Sequence, residues 1–394
     1  MMPSTLYSAP PVGKQLTGSP VSAFEHLLVM KPAFSHLCYV LGGHTPMEER
    51  AEREGVSVWC EPMVSRGLRH AGPVRFFKGI GPVLSSRWRY LKRLSRLLKT
   101  NPGILHVHSL AFHLPYALLA AKLAGVPSVV TIREPWRGNW EVYWYLLWVR
   151  LLASRVVCLS QAMVEQYPKW IGKTTIIHNS FVLPPERLPP TNERPLVAMI
   201  GNMGFRKGTD LFLEACRIWH EHGIPFDAWL VGGWETPTAQ QQAQAFIREH
   251  HLENQICIKG EWKNIRDIYP HVDVLVQPSR KDPFPRVVME AMGYGIAVVS
   301  TRVDGIPSMV EPSVTGFLVE PGHADALAAA VERLLRDGAL RETMGKAGRL
   351  RAAELFSPET YFRKMKALYE EVTGGGSMAP PAVSEGHNGT MEEA

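Results

Sequence analysis

Pro278-Ser279-Arg280-Lys281-Asp282-Pro283-Phe284-Pro285-Arg286-Val287-Val288-Met289-Glu290-Ala291-Met292-Gly293-Tyr294-Gly295 is the stretch from which the chain can be read outward. The run before it, Val272-Asp273-Val274-Leu275-Val276-Gln277, is short, apolar and β-branched, the composition of a strand buried on both faces, and Pro278 and Ser279 end it. Pro285 suits a helix start, where a missing N–H costs nothing, and Val288, Met289 and Met292 form an apolar face until Gly293 and Gly295 stop it. Asp282 therefore belongs to the loop above a strand end, and Glu290 lies about one turn inside the next helix. The free N–H groups of a helix start favour an anion such as phosphate, and a neighbouring carboxylate accepts hydrogen bonds from hydroxyls. A nucleotide sugar offers both.

With Pro-Ser before it and Glu-Ala-Met after it, the Asp282-x7-Glu290 spacing resembles the Glu-x7-Glu motif of family 4 glycosyltransferases, the retaining GT-B enzymes of group 1. The likeness continues through Ala297-Val298-Val299-Ser300-Thr301, Gly305-Ile306-Pro307 and Gly316-Phe317-Leu318-Val319-Glu320-Pro321-Gly322. It is close over residues 195–370 and looser before them. It implies an α/β fold of two Rossmann-like, doubly wound domains facing each other across a cleft. It also implies transfer of a hexosyl-type sugar from a nucleotide-diphosphate donor to a hydroxyl acceptor, with retention of configuration and in cell-envelope polysaccharide or glycolipid assembly.

The glycine-rich turn Gly201-Asn202-Met203-Gly204-Phe205-Arg206-Lys207-Gly208 follows the strand Leu196-Val197-Ala198-Met199-Ile200. Its glycines allow close backbone approach to a ligand, and Lys207 can meet a diphosphate. It is not a Walker loop, because Gly208 stands where Ser or Thr is needed. By resemblance an arginine near Asn202 should join the lysine; here Arg206 is nearest. The resemblance also implies that Asp282 holds sugar hydroxyls, that Glu290 holds the ribose, and that Gly260, Trp262 and Lys263 meet the base. Phe284, Pro285, Arg286 and Val287 complete the expected donor side with Gly201, Asn202 and Gly204. Catalysis is expected from Lys207, Arg206, Asp282 and Glu290 by positioning and charge, without metal or other cofactor, since no Asp-x-Asp tripeptide occurs.

On the acceptor side, His106 and His108 share one face of the strand at 104–108, a spacing that can bind metal but lacks a third ligand in the sequence. The family's histidine at the end of the next strand is here Arg133, followed by Glu134. His108, Arg133 and Glu134 are the acceptor-side candidates. Family members open with a strand, a glycine loop and a long helix. No such unit is evident here, and Gly42-Gly43 is either its shortened form or unrelated to it.

The 394 residues suffice for two α/β domains, and 45% hydrophobic with 20% charged residues is a globular composition. We expect disorder over residues 1–23, an acceptor domain over 24–183, a Pro-rich hinge at 184–195 and a donor domain over 196–357. A helix at 358–373 is expected to cross back to the first domain, ahead of a disordered tail at 374–394. No apolar run approaches the roughly 20 residues of a membrane span, and no signal-peptide pattern opens the chain, so the expected compartment is the cytoplasm. Five widely spaced cysteines read as reduced core residues. No Asp or Glu lies between Glu61 and Glu134, while Arg66, Arg69, Arg75, Lys78, Arg87, Lys92, Arg96 and Lys99 crowd one segment. Such a field attracts anionic lipid, a phosphorylated acceptor or nucleic acid, and the interleaved Trp88, Tyr90 and Leu91 favour a membrane surface over a duplex. Two other readings stay open: a nucleotide-sugar-binding homologue that has lost its chemistry, and a GT-B-fold sugar-nucleotide epimerase or phosphorylase.

Overall fold

The computed structural model describes residues 3–10, 19–41, 47–63, 73–133, 138, 140–172, 174–186, 192–262 and 264–374, with backbone alone at 19–20 and 73–80. Seven strands, β1 (Thr5–Ala9), β2 (His36–Leu41), β3 (Ser57–Cys60), β4 (Gly103–His108), β5 (Ser128–Ile132), β6 (Arg155–Cys158) and β7 (Thr174–Ile176), form a sheet ordered β3-β2-β1-β4-β5-β6-β7. A second sheet holds β8 (Leu196–Ile200), β9 (Asp227–Val231), β10 (Ile256–Gly260), β11 (Val274–Gln277), β12 (Ala297–Thr301) and β13 (Gly316–Val319) in the order β10-β9-β8-β11-β12-β13. Every pairing in both sheets is parallel.

Parallel strands need crossover helices, which cover both faces and leave the strands apolar throughout. The first sheet is crossed by α1 (Ser19–Met30), α2 (Met47–Arg53), α3 (Pro73–Thr100), α4 (Leu114–Ala124), α5 (Trp140–Leu152) and α6 (Gln161–Gln166). The second is served by α7 (Thr209–Glu221), α8 (Pro237–Glu249), α9 (Arg286–Gly293), α10 (Ile306–Met309), α11 (Ala324–Arg336) and α12 (Gly338–Phe356), and α13 (Pro358–Val372) follows. In the first domain α3, α4 and α5 pack side by side in one layer, and α1 lies against α13 in another. Right-handed crossovers give this division: the chain moves one way along the sheet from β1 to β3 and the other way from β3 to β7.

The N-terminus departs from the expectation drawn from composition. Residues 5–9 are not disordered; they form β1, in the middle of the sheet, with Leu6 paired to Leu37 on one side and to Ile104 on the other. All five of its residues are buried. Ser8 fits there because its hydroxyl donates to the Ala23 carbonyl (3.3 Å) on α1. The strand and helix with which the family opens are thus β1 and α1, upstream of Gly42-Gly43, which lie outside the described residues. Helix α1 buries Phe24, Leu27 and Met30 in a cluster that also takes in Tyr361, Met365, Leu368 and Tyr369 of α13. The Ser357 hydroxyl caps α13 at the Thr360 N–H (3.3 Å), and Pro358 occupies its first turn. The last helix therefore completes the first domain's core.

Candidate active site

In the second sheet the strand order turns back between β8 and β11, so the helices that follow these strands leave in opposite directions. Their carboxyl ends frame the crevice where doubly wound sheets bind ligands. The turn after β8 enters that crevice because two glycines permit it. Gly208 holds φ +75°, where a side chain would strain the backbone, and a Cβ there would collide with the Pro278 carbonyl. A Cβ on Gly232 would collide with the Gly201 carbonyl. The Arg280 N–H donates to the Arg206 carbonyl (2.8 Å) and ties this turn to the loop after β11.

Across the crevice the Lys207 ammonium reaches the Asp282 carboxylate at 2.5 Å. Both side chains are largely buried, so the pair sits in a medium that strengthens charge. Asp282 is fixed from two further sides. Its backbone N–H donates to Asp304 (2.8 Å), a residue at φ +44°, and its carboxylate lies 3.4 Å from the Ser279 hydroxyl. Gln166 of the first domain donates to the other oxygen of Asp304 (2.8 Å), so the facing domain touches this loop.

Glu290, buried in α9, accepts from the Tyr269 hydroxyl (2.8 Å) at one oxygen and from Arg286 (3.0 Å) at the other. Arg286 also grips Glu25 of α1 across the cleft, at 2.5 and 3.2 Å, and reaches the Ser22 hydroxyl at 3.3 Å. Burial opposes charge on Arg286, yet the carboxylates of Glu25 and Glu290 carry its pKa above the ordinary guanidinium value. Burial first, and then the Glu290 carboxylate, raise the Tyr269 phenol well above its usual value, so it remains a donor.

The other donor-side candidates divide. Pro285 caps α9 from outside the helix, Arg286 is its first residue, and Val287 is half-buried beside it. The Phe284 ring stacks on His178 (5.3 Å) and meets Phe356 edge-on (5.7 Å), so its side chain belongs to the packing between the halves, and only its backbone is left to face the donor side. Arg206 does not join Lys207; its guanidinium lies 3.4 Å from Glu235 and 3.2 Å from the Lys281 carbonyl. Asn202 and Trp262 are exposed, Gly204 is buried beside Glu235, and Gly260 ends β10, accepting from the Gly232 N–H (2.8 Å). Lys263 and Glu134 lie outside the described residues.

On the first domain's side the Arg133 guanidinium donates to the Asn179 side chain (2.5 Å) and lies 3.4 Å from His108. His106 and His108 gain a neighbour that the sequence did not suggest, His26 of α1, and the ligand nitrogens of the three lie within 4.8 Å of one another. Most of those nitrogens are already engaged. His26 contacts the Tyr361 and Tyr369 hydroxyls (2.9 Å each), and His106 contacts Tyr369 (2.6 Å) and Thr131 (2.7 Å). Burial, with the nearby Arg133 charge, lowers His26 to about 3, and burial likewise holds His106 and His108 well below the usual value. The trio is a buried hydrogen-bonded network beside the Arg133 guanidinium.

The profile described as glycosyltransferase family 4 matches residues 35–182, and that described as glycosyl transferases group 1 matches residues 185–351. The chain belongs to the family 4, group 1 glycosyltransferases. Among curated relatives of this group, the capsular polysaccharide biosynthesis glycosyltransferase CapM of Staphylococcus aureus is 27% identical over 178 residues, 45% of this chain and 46% of that protein. Alpha-maltose-1-phosphate synthase of Mycobacterium tuberculosis is 28% identical over 316 residues, 68% of this chain and 79% of that protein. The chain spans less than half the length of several of the curated relatives that it matches. The crystal structure of Anabaena HepE in complex with UDP superposes with a TM-score of 0.77 at 17% identity, over 93% of this chain and all of that one. That likeness shows the GT-B fold.

Four residues near this group 1 site carried no signal in the sequence: Glu25, Gln166, Tyr269 and Asp304. Asp304 directly precedes the Gly305-Ile306-Pro307 segment, but its contact with the Asp282 N–H depends on β11 and β12 lying side by side. Glu25 and Gln166 act from the other domain. A cross-cleft contact leaves no local pattern.

Proposed function

We propose that this chain transfers a sugar from a nucleoside-diphosphate sugar to a hydroxyl acceptor, with retention of configuration, in polysaccharide or glycolipid assembly. The placement of Lys207 against Asp282 at the switch crevice carries this reading. When the anomeric C–O bond breaks, negative charge grows on the departing diphosphate, and Lys207 turns from Asp282 to meet it. Asp282, released, accepts from the sugar hydroxyls. Glu290, already oriented by Tyr269 and Arg286, keeps lone pairs for the ribose hydroxyls. The acceptor oxygen bonds to the anomeric carbon on the face the diphosphate leaves, and its proton passes to the departing phosphate oxygen. Fixed charge and helix N–H groups supply the stabilisation without a metal. CapM's name supports the polysaccharide setting, and the UDP held by HepE supports a uridine nucleotide as the first donor to try. The five cysteines are all free thiols, which suits the cytoplasm, where nucleotide sugars are made.

The test is thermal unfolding with UDP, GDP, ADP, dTDP or CMP in the presence of EDTA, on the wild type, Lys207→Ala and Glu290→Ala. Binding to the folded state stabilises by RT ln(1 + [L]/Kd), so one diphosphate should raise the midpoint and both substitutions should remove the gain. The matching sugar nucleotide should then be hydrolysed slowly, or transferred to an added acceptor. No response to any nucleotide by well-folded protein sinks the proposal.

A further inference from the structure

Helix α5 is apolar on two faces. Leu146 and Val149 point into the core, as a crossover helix requires. On the opposite side Trp140, Trp144, Leu147 and Leu151, spaced at three and four residues, form an exposed stripe, with Tyr143 beside it. Trp140 is 74% exposed and Leu151 65%. Trp170, also exposed, extends the patch by stacking on Tyr143 at 6.4 Å. Core packing explains the inner face only.

The same helical layer carries a second feature. Helix α3 lies two positions away, beyond α4, and bears eight Lys or Arg residues and no Asp or Glu. Its exposed face begins with Leu84 and Trp88 and continues through Lys92, Arg96 and Lys99. Glu61 takes up Arg93 (2.6 Å) and lies 3.8 Å from Arg89, and between Glu61 and Glu134 the chain has no other acid to balance this row. Neighbouring helices pack about 8–10 Å apart, so the basic row and the aromatic stripe stand roughly 20 Å from each other on one side of the sheet. No described helix is long and apolar enough to cross a membrane.

We infer that the outer face of the α3-α4-α5 layer docks on an anionic lipid bilayer, with the α5 stripe seated in the headgroup region and the α3 row against lipid charge. Trp and Tyr concentrate at that boundary, because their rings are apolar and their polar edges stay hydrated. The basic row fixes the sign of the surface. It also argues against a second copy of this chain as the occupant, since a symmetric partner brings its own basic row to the same face. The docking is independent of the donor chemistry.

The experiment is co-sedimentation of the full chain with phosphatidylcholine vesicles, with or without phosphatidylglycerol, at low and high salt. The variants are Trp144→Ser/Leu147→Ser/Leu151→Ser and Lys92→Ser/Arg96→Ser/Lys99→Ser, all at exposed positions where folding is little affected. The wild type should bind only the mixed vesicles. The charge variant should bind about a hundredfold more weakly and lose most of its salt dependence. The stripe variant should lose about tenfold while its salt dependence persists. Thermal stabilisation by UDP, measured on the same samples, monitors the donor site and should not change between variants. Failure of the wild type to bind mixed vesicles overturns the inference, as does binding that ignores the stripe. It is equally overturned if sedimentation velocity shows a wild-type dimer that the stripe substitutions dissociate.

Discussion

Arg286 of α9 and Glu25 of α1 form a two-point ion pair across the cleft, and the same guanidinium holds Glu290. One cation therefore serves two carboxylates from two domains, and the residue that orients the proposed ribose-holding group is itself anchored by Glu25 on the facing half of the molecule. Glu25→Gln should raise the KM for donor several-fold, because Arg286 loses the partner that fixes it while Glu290 itself is intact. A double-mutant cycle with Arg286→Lys should return a coupling of about 1–3 kcal/mol, less than a fully buried pair because a fifth of the Glu25 side chain is exposed. Additive effects on donor affinity would show that the pair is structural only.

Lys207 and Asp282 neutralise each other, and each is expected to change partner when donor binds. Lys207→Ala should lower kcat by about a hundredfold or more, the usual cost of one electrostatic contact to a developing anion. Asp282→Asn should leave UDP affinity near the wild-type value or improve it, since it frees the lysine, yet reduce transfer. Calorimetric titration with UDP beside single-turnover transfer separates the two effects.

Much of the second domain could be read from the chain, because its signals are local. The strand before Pro278, the glycine turn after Ile200 and the helix carrying Glu290 each announce themselves within ten residues or so. What escaped was set by distance along the chain. Thr5–Ala9 is five residues of mixed polarity in a stretch rich in Ser, Pro and Gly, and its strand character comes from partners at positions 36–39 and 103–107. Tertiary context overrides propensity there. The packing of the Phe284 ring was hidden for the same reason: its neighbours His178 and Phe356 lie more than 70 residues away on either side.

Gly208→Ala tests whether the phosphate turn depends on its backbone. The left-handed conformation costs an alanine about 1 kcal/mol, and contact between its Cβ and the Pro278 carbonyl adds to that. Urea unfolding should show a loss of at least about 2 kcal/mol, and UDP stabilisation should fall further than that of Gly322→Ala, whose left-handed site is open. Equal losses at the two positions would mean that the close approach to β11 is not what the turn requires.

The hydroxyl of Tyr369 stands between His26 (2.9 Å) and His106 (2.6 Å), and with Tyr361 and Thr131 it makes one chain of hydrogen bonds that pins α13 to the first domain. Neutral imidazoles satisfy that chain in either direction, each ring donating at one nitrogen and accepting at the other. Because burial lowers the pKa values of His26, His106 and His108, the unfolded chain binds more protons than the folded one below the ordinary histidine value. Stability should thus be full above about pH 6.5 and fall as pH drops from there towards 3, by up to about 1.4 kcal/mol per pH unit for each histidine that stays neutral. Tyr369→Phe should cost about 1–3 kcal/mol at pH 7 by leaving two buried ring nitrogens short of a partner. Acid should then unfold that variant at a higher pH than the wild type, as near-UV circular dichroism across a pH series would record. Coincident acid transitions would remove the network from any part in holding the last helix.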